Sequence, residues 1–261
     1  MDLYFFHHDE YERLYNCSIY NVDQLPLEKR QHKLLAIFVI ILSTIYEILY
    51  IPCMFSIWKR MANSHCYKIM FAIGVIDMAA ILCAGFLTGY LGYFGYVFCS
   101  SPKFIYFVGA YGFCKKLLFW LGIPILYGLS ISLWSKTVIF SGIYFSWFFN
   151  PHIGYIEDVN QEYENTLLAF HNPLIIFFLL ITYLTFFIIF VIKSKQGGFA
   201  SSQQSYSEIM IFLQIFLISL FNSGAAFIYV YMQYIHINEV VIIIGQICWL
   251  NAHGGKYFYN F

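Results

Sequence analysis

The run LLAIFVIILSTIYEILYIPCMFSIW, residues 34–58, decides the fold: it holds 25 residues and a single charge, Glu47. A helix needs about 20 apolar residues to cross a hydrocarbon layer roughly 30 Å thick. Four more runs repeat the pattern. Residues 69–91 carry one charge, Asp77, while residues 117–134, 174–192 and 209–231 carry none. Pro173 stands just ahead of 174–192, a place suited to the first turn of a helix. Two shorter stretches, 104–113 and 240–250, read as partial helices. The first follows Ser100, Ser101, Pro102 and Lys103, and ten residues of helix cover about 15 Å, half a bilayer. The second runs into Asn251, His253, Gly254, Gly255 and Lys256.

Composition agrees with those runs. Of the 261 residues, 61% are hydrophobic, 22% aromatic and 11% charged, whereas soluble domains carry roughly 25% charge. Fourteen basic and fourteen acidic residues cancel, which removes the case for a nucleic-acid partner or a polybasic patch. A chain with 29 Phe and 23 Tyr is not a disordered one. A β-barrel would alternate over about ten residues per strand, but these runs are continuous over about twenty. The expected fold is therefore all-α, a polytopic membrane helix bundle with lipid as its main partner. Absence of a Gly-rich phosphate loop, His-Glu-x-x-His or Cys-x-x-Cys points away from an enzyme and from any cofactor or metal.

Residues 1–33 contain six acids and no apolar core, so the first span is expected to act as its own insertion signal. Basic residues flank that span on both sides and leave its direction open. Other features place 1–33 outside the cell. Asn16-Cys17-Ser18 is an N-glycosylation sequon. The segment 194–208 is short and polar with Lys195 and no acid before Glu208, as a cytoplasmic loop would be. The segment 135–172 carries Glu157, Asp158, Glu162 and Glu164 beside an aromatic run, as an external loop would. With both 1–33 and 135–172 outside, the chain must cross once between residues 92 and 113, which is the broken stretch. Cys17 and Cys99 face outside in this arrangement and are candidates for a disulfide, but sequence does not tell whether their Cα atoms come within about 7 Å.

Several strings then form a familiar series. They are Tyr15-Asn16-Cys17-Ser18, Pro26-Leu27-Glu28-Lys29-Arg30 and Glu47-Ile48-Leu49-Tyr50-Ile51-Pro52-Cys53, then Cys66-Tyr67-Lys68-Ile69-Met70 leading to Asp77, and Phe98-Cys99-Ser100. Pro124-Ile125-Leu126-Tyr127-Gly128, Phe145-Ser146-Trp147-Phe148-Phe149-Asn150-Pro151-His152 and Ile228-Tyr229-Val230-Tyr231-Met232-Gln233 follow. Together they resemble the nematode serpentine receptors of class T, over nearly the whole chain. The resemblance implies a seven-helix, G-protein-coupled chemosensory receptor in the plasma membrane of sensory neurons, with a small-molecule ligand and a heterotrimeric G protein as partners. Asp77 would hold the second-helix acid position common among seven-helix receptors.

Two departures stand out. Relatives continue helix three well past the place of Phe113 and close it with an Asn-Arg pair, whereas here Phe113-Cys114 meets Lys115-Lys116 and the fourth-helix run. Relatives also follow His253-Gly254 with a proline-containing extension of helix seven, absent from Gly255-Lys256-Tyr257-Phe258-Tyr259-Asn260-Phe261. The expectation is a receptor lacking most of helix three and the end of helix seven, the same gap that the count of crossings reached.

Glu47 and Asp77 are the acids inside the secure spans, so each is expected to face the bundle. Ser219, Asn222, Ser223 and Ala226 share one helix face at i, i+3, i+4, i+7. With the two acids they would form an intramembrane polar network, or else simply pack helix on helix. His152, His171 and His236 read as polar residues of the outer interface. Two rivals remain: a non-signalling shortened product held in the endoplasmic reticulum, and a transporter using Glu47 and Asp77 as a proton or ion pair.

Overall fold

The computed structural model describes residues 2–62, 65–113, 136–195, 202–235 and 238–255. Short helices α1 (Asp2–Phe5), α2 (His8–Leu14) and α3 (Leu27–Arg30) precede α4, Lys33–Arg60, whose 28 residues reach well beyond a bilayer's need. Helix α5 (His65–Ile81) runs on through a π-helical turn, Leu82–Leu87, into α6 (Thr88–Phe94). Gly95 ends this second long helix at φ 68°, its N–H bonded to Gly92 O, the left-handed close that glycine adopts without a Cβ penalty. Helix α7 (Pro102–Phe113) has 12 residues, about 18 Å of rise. Then come strands β1 (Ile139–Ser141) and β2 (Ser146–Phe148), followed by α8 (Thr166–Lys195), α9 (Ser202–Tyr234) and α10 (Glu239–Gly254). Four helical stretches among the described residues are long and apolar enough to cross a membrane: Leu27–Arg60, Tyr67–Phe94, Thr166–Ile189 and Phe216–Tyr234.

The fold is thus an all-α polytopic bundle, and its boundaries refine the apolar runs. Pro173 lies inside α8 rather than at its start. The helix begins two turns earlier because Asn165 caps it, Oδ1 accepting from Leu168 N at 3.1 Å. Polar His171 and Asn172 hide those turns from a hydropathy reading. Helix α10 extends from 239 to 254 behind its cap Asn238, whose side chain accepts from Val240 N, and so exceeds the expected partial helix 240–250. The expected fourth span, 117–134, lies outside the described residues.

Packing is uneven. Helices α4, α5, α6 and α10 form one group, with α9 against α10 and α8 against α9. The buried face of α4 includes Ala36, Val39, Ser43, Tyr46, Tyr50 and Met54. Gly85 and Gly89, spaced i, i+4, let the second helix approach it. A Cβ at Gly85 would collide with Ser43 Oγ and sit 2.6 Å from Ser43 Cβ. This is the G-x-x-x-G contact of membrane helices, in which small residues admit a backbone close enough for dispersion to act.

A cap covers one end of the bundle. Residues 2–33, the 95–101 connection, the β1–β2 hairpin and the loop 149–165 share a buried cluster that includes Tyr11, Tyr15, Phe98, Tyr106, Phe140 and Trp147. Helix α7 packs along this cap: Tyr106 meets Tyr11 and Tyr15 edge-on, and a Cβ at Gly109 would collide with Val138 O.

Candidate functional site

Asp77 is 2% exposed and joins three helices. Tyr50 of α4 donates its hydroxyl to Asp77 Oδ2 at 2.9 Å, and His253 Nδ1 of α10 lies 2.8 Å from Oδ1. A carboxylate opposite Nδ1 makes that nitrogen the donor. Tyr50 also lies 3.3 Å from His253 O, and one turn away Tyr46 donates to Asn251 Oδ1. Buried carboxyls persist where such donors replace water.

Above this cluster is a cavity of about 260 Å³ between the hairpin and helices α8, α9 and α10. Rings of Trp147, Phe149, Tyr229 and Trp249 line it, together with amides Asn172 and Asn222, and His253 is at its floor. The same histidine therefore touches both the cavity and Asp77. The volume falls just under the roughly 300–1,000 Å³ typical of drug-sized ligands, which suits a small molecule.

The π turn borders this region with two occupied carbonyls. Thr88 Oγ1 donates to Cys83 O (3.0 Å) and accepts from Trp147 Nε1 (2.9 Å). Gln246, 1% exposed, donates Nε2 to Ala84 O (2.9 Å) and accepts from Tyr229 OH (2.8 Å), which is also 3.2 Å from Ser146 Oγ. A π turn widens the helix and commonly marks functional regions. Here its carbonyls use their second lone pairs for side chains from α6 and α10.

The cap carries the remaining residues of interest. Cys17 and Cys99 are bridged, with Cα atoms 5.5 Å apart. Asn16 is half-buried beside the bridge, its Oδ1 accepting from Ser18 N at 2.8 Å. His152 is buried, Nε2 lying 3.0 Å from Leu14 O while Nδ1 has no hydrogen-bond partner among the described residues; burial pushes its pKa below the usual histidine range. Arg13 pairs with Glu162 at 2.8 Å, and Tyr163 donates to Leu14 O at 2.9 Å. His171 lies 3.4 Å from Asn172 Oδ1, and His236 falls outside the described residues.

The residues singled out by sequence do not all meet. Asp77 is at the junction, but Tyr50 rather than Glu47 donates to it, because Tyr46 and Tyr50 occupy the buried stripe and Glu47 flanks it. Glu47 Oε1 is buried without a hydrogen-bond partner among the described residues. Asn222 donates back to Ile218 O at 2.9 Å and lines the cavity. Ser219 and Ser223 are half-buried on the same helix. Among the described residues, Asp77 meets Tyr50 of α4 and His253 of α10, whereas Asn222 bonds its own helix, α9. Asp77 is thus placed in one cluster, and Asn222 in the cavity wall, among the described residues. Tyr50, Tyr229, Gln246 and His253 escaped the sequence reading. Gly85-x-x-x-Gly89 was there to be found as a packing motif.

Neither a curated protein nor a solved structure matches the chain. A family model does: serpentine type 7TM GPCR chemoreceptor Srt matches residues 1–117 and 113–259. These two stretches span almost the whole chain and meet where Phe113 runs into Lys115-Lys116. With an all-α membrane bundle, a capped end and a cavity beneath the cap already in place, the chain belongs to the serpentine type 7TM GPCR chemoreceptor Srt family, as a multi-pass membrane protein.

Proposed function

We propose that this chain is a nematode chemosensory receptor that takes a small, largely apolar molecule into the cavity bounded by Trp147, Phe149, Tyr229 and Trp249, and signals through a heterotrimeric G protein at the uncapped face. One observation carries the reading: His253 lines the cavity and is hydrogen-bonded to Asp77, so an occupant lies one residue from the junction of three helices. A ligand shifts such a junction only through unequal affinity for its two arrangements. The cap supports an outside N-terminus at the plasma membrane of sensory neurons, with Asn16 as the glycan acceptor and Cys17–Cys99 as its staple.

The test is expression with an N-terminal tag, a small-molecule panel and a second-messenger readout. Responses should disappear in Trp249→Ala at unchanged surface labelling. Responses that survive this change with the same potency sink the cavity as the ligand site.

A second reading has its own support. The family match divides at residues 113–117, where the count of crossings also falls short. On this reading the chain is a shortened, non-signalling product retained in the endoplasmic reticulum. Its Asn16 glycan would stay sensitive to endoglycosidase H, and transcripts would read directly from Phe113 to Lys115 without an added apolar helix. Mature glycans and surface labelling would reject it.

A further inference from the structure

Ser146 and Trp147 are neighbours in β2, and Cys83 and Ala84 are neighbours in the π turn. Two separate hydrogen-bonded lines join these pairs. One runs Trp147–Thr88–Cys83 O, and the other runs Ser146–Tyr229–Gln246–Ala84 O. Trp147 and Tyr229 also line the cavity. A molecule held there therefore touches both lines at one end, while the π turn lies at the other.

That turn is suited to move on physical grounds. A π turn amounts to one extra residue in an α-helix, and one residue corresponds to about 100° of helix rotation. Shifting or resolving the turn re-aims everything on its far side. Asp77 stands five residues before Leu82, so a change there alters its approach to Tyr50 and His253. The turn and the helix after it lie against α4, Gly85 at Ser43 and Gly89 at Ile40 and Ala36, so a shift of the turn is felt at that contact as well as at Asp77.

We infer that the π turn at Leu82–Leu87 is the element through which cavity occupancy reaches Asp77, with Trp147 and Tyr229 as the residues that touch the occupant and Thr88 and Gln246 as positioning residues. This rests on the cavity being the ligand site, and it adds the route by which that site is read.

A tethered occupant tests it without knowledge of the natural ligand. In a chain that keeps Cys17 and Cys99 but replaces Cys53, Cys66, Cys83, Cys114 and Cys248, Ala226→Cys on the cavity wall is reacted with benzyl methanethiosulfonate. Amide hydrogen exchange is then followed over residues 83–92. The attached benzyl group should raise exchange in the turn by roughly three- to tenfold, the change expected for loss of about one neutral hydrogen bond. In a Tyr229→Phe, Thr88→Val background, the same tether should leave exchange unchanged from that background's own unmodified level. Gln246→Leu cuts the second line from α10 and replaces Tyr229→Phe if that variant does not fold. An introduced thiol that never reacts overturns the cavity reading, and this inference with it. Full modification with no change at residues 83–92 overturns the route alone, and so does an equal rise in the variant background.

Discussion

Two helices of the bundle are equally greasy and packed quite differently. The best apolar windows of the second long helix and of α8 have the same mean hydropathy, 2.3, yet 33% of the first is buried and none of the second. Apolar character therefore does not create helix contact in a membrane. Lipid tails are as apolar as leucine, so association depends on close backbone approach and on polar groups that satisfy one another. The α4–α5–α6–α10 group has both, in Gly85 and Gly89 against Ser43 and Ile40 and in Asp77 among Tyr50 and His253. Helix α8 offers Leu, Ile and Phe on every side, and among the described residues its main contact is with α9.

Changing the glycine contact should have the largest effect on that difference. Gly85→Val drives a methyl-bearing Cβ into Ser43 and should cost about 3 kcal/mol, seen as a large fall in melting temperature in detergent. On α9, Gly224→Ala meets Cys248 Sγ at 3.6 Å, an ordinary contact, and should be neutral or stabilising by under about 1 kcal/mol. Equal losses at the two sites would end the distinction.

Next is the polar junction. Tyr50→Phe and His253→Phe should each cost about 1–3 kcal/mol because each strips a partner from a buried carboxyl. The double variant should cost less than the sum, since both act on Asp77. Ser219→Ala and Ser223→Ala should stay within about 0.5 kcal/mol. Strict additivity of Tyr50→Phe and His253→Phe would show that the junction is not one unit.

A smaller effect is expected in the cap. Burial holds the pKa of His152 in the folded cap below the ordinary value of 6.5. As pH falls below 6.5 the unfolded chain takes up a proton that the folded cap resists, so stability is complete above that value and declines beneath it. Thermal melts at neutral and mildly acidic pH should show the loss, and His152→Gln should remove it. A His152→Gln protein with the parent's pH profile would place the sensitivity elsewhere.

The smallest effects should come from α8. Leu180 and Phe177 are 56% and 55% exposed, so Leu180→Ala should change stability by under about 0.5 kcal/mol. A loss of several times that would mean α8 is covered in the assembled receptor, and the comparison would then be between two kinds of partner rather than between packed and bare.

Much of this was legible from residues alone. Long apolar runs with few charges marked α4, the second helix, α8 and α9, because hydrocarbon demands both length and internal backbone pairing. Asp77 was marked by the cost of a carboxyl among apolar neighbours. Its partner was not. A helix that is apolar all round has no face that periodicity can pick out, so nothing in 34–58 told Tyr50 from Glu47. The start of α8 was hidden because an asparagine cap and two polar residues resemble a loop when only hydropathy is weighed.

Composition and order along the chain were enough to say that this protein lives in lipid as a helical bundle, and its longer strings were enough to indicate the family. Only the packed molecule shows that Asp77 is held by Tyr50 and His253, that Glu47 Oε1 is buried with no hydrogen-bond partner among the described residues, and that Trp147 and Tyr229 connect a cavity to a π turn. Those pairings join residues up to 176 positions apart. They depend on which face of each helix turns inward, and uniform greasiness leaves that choice to packing.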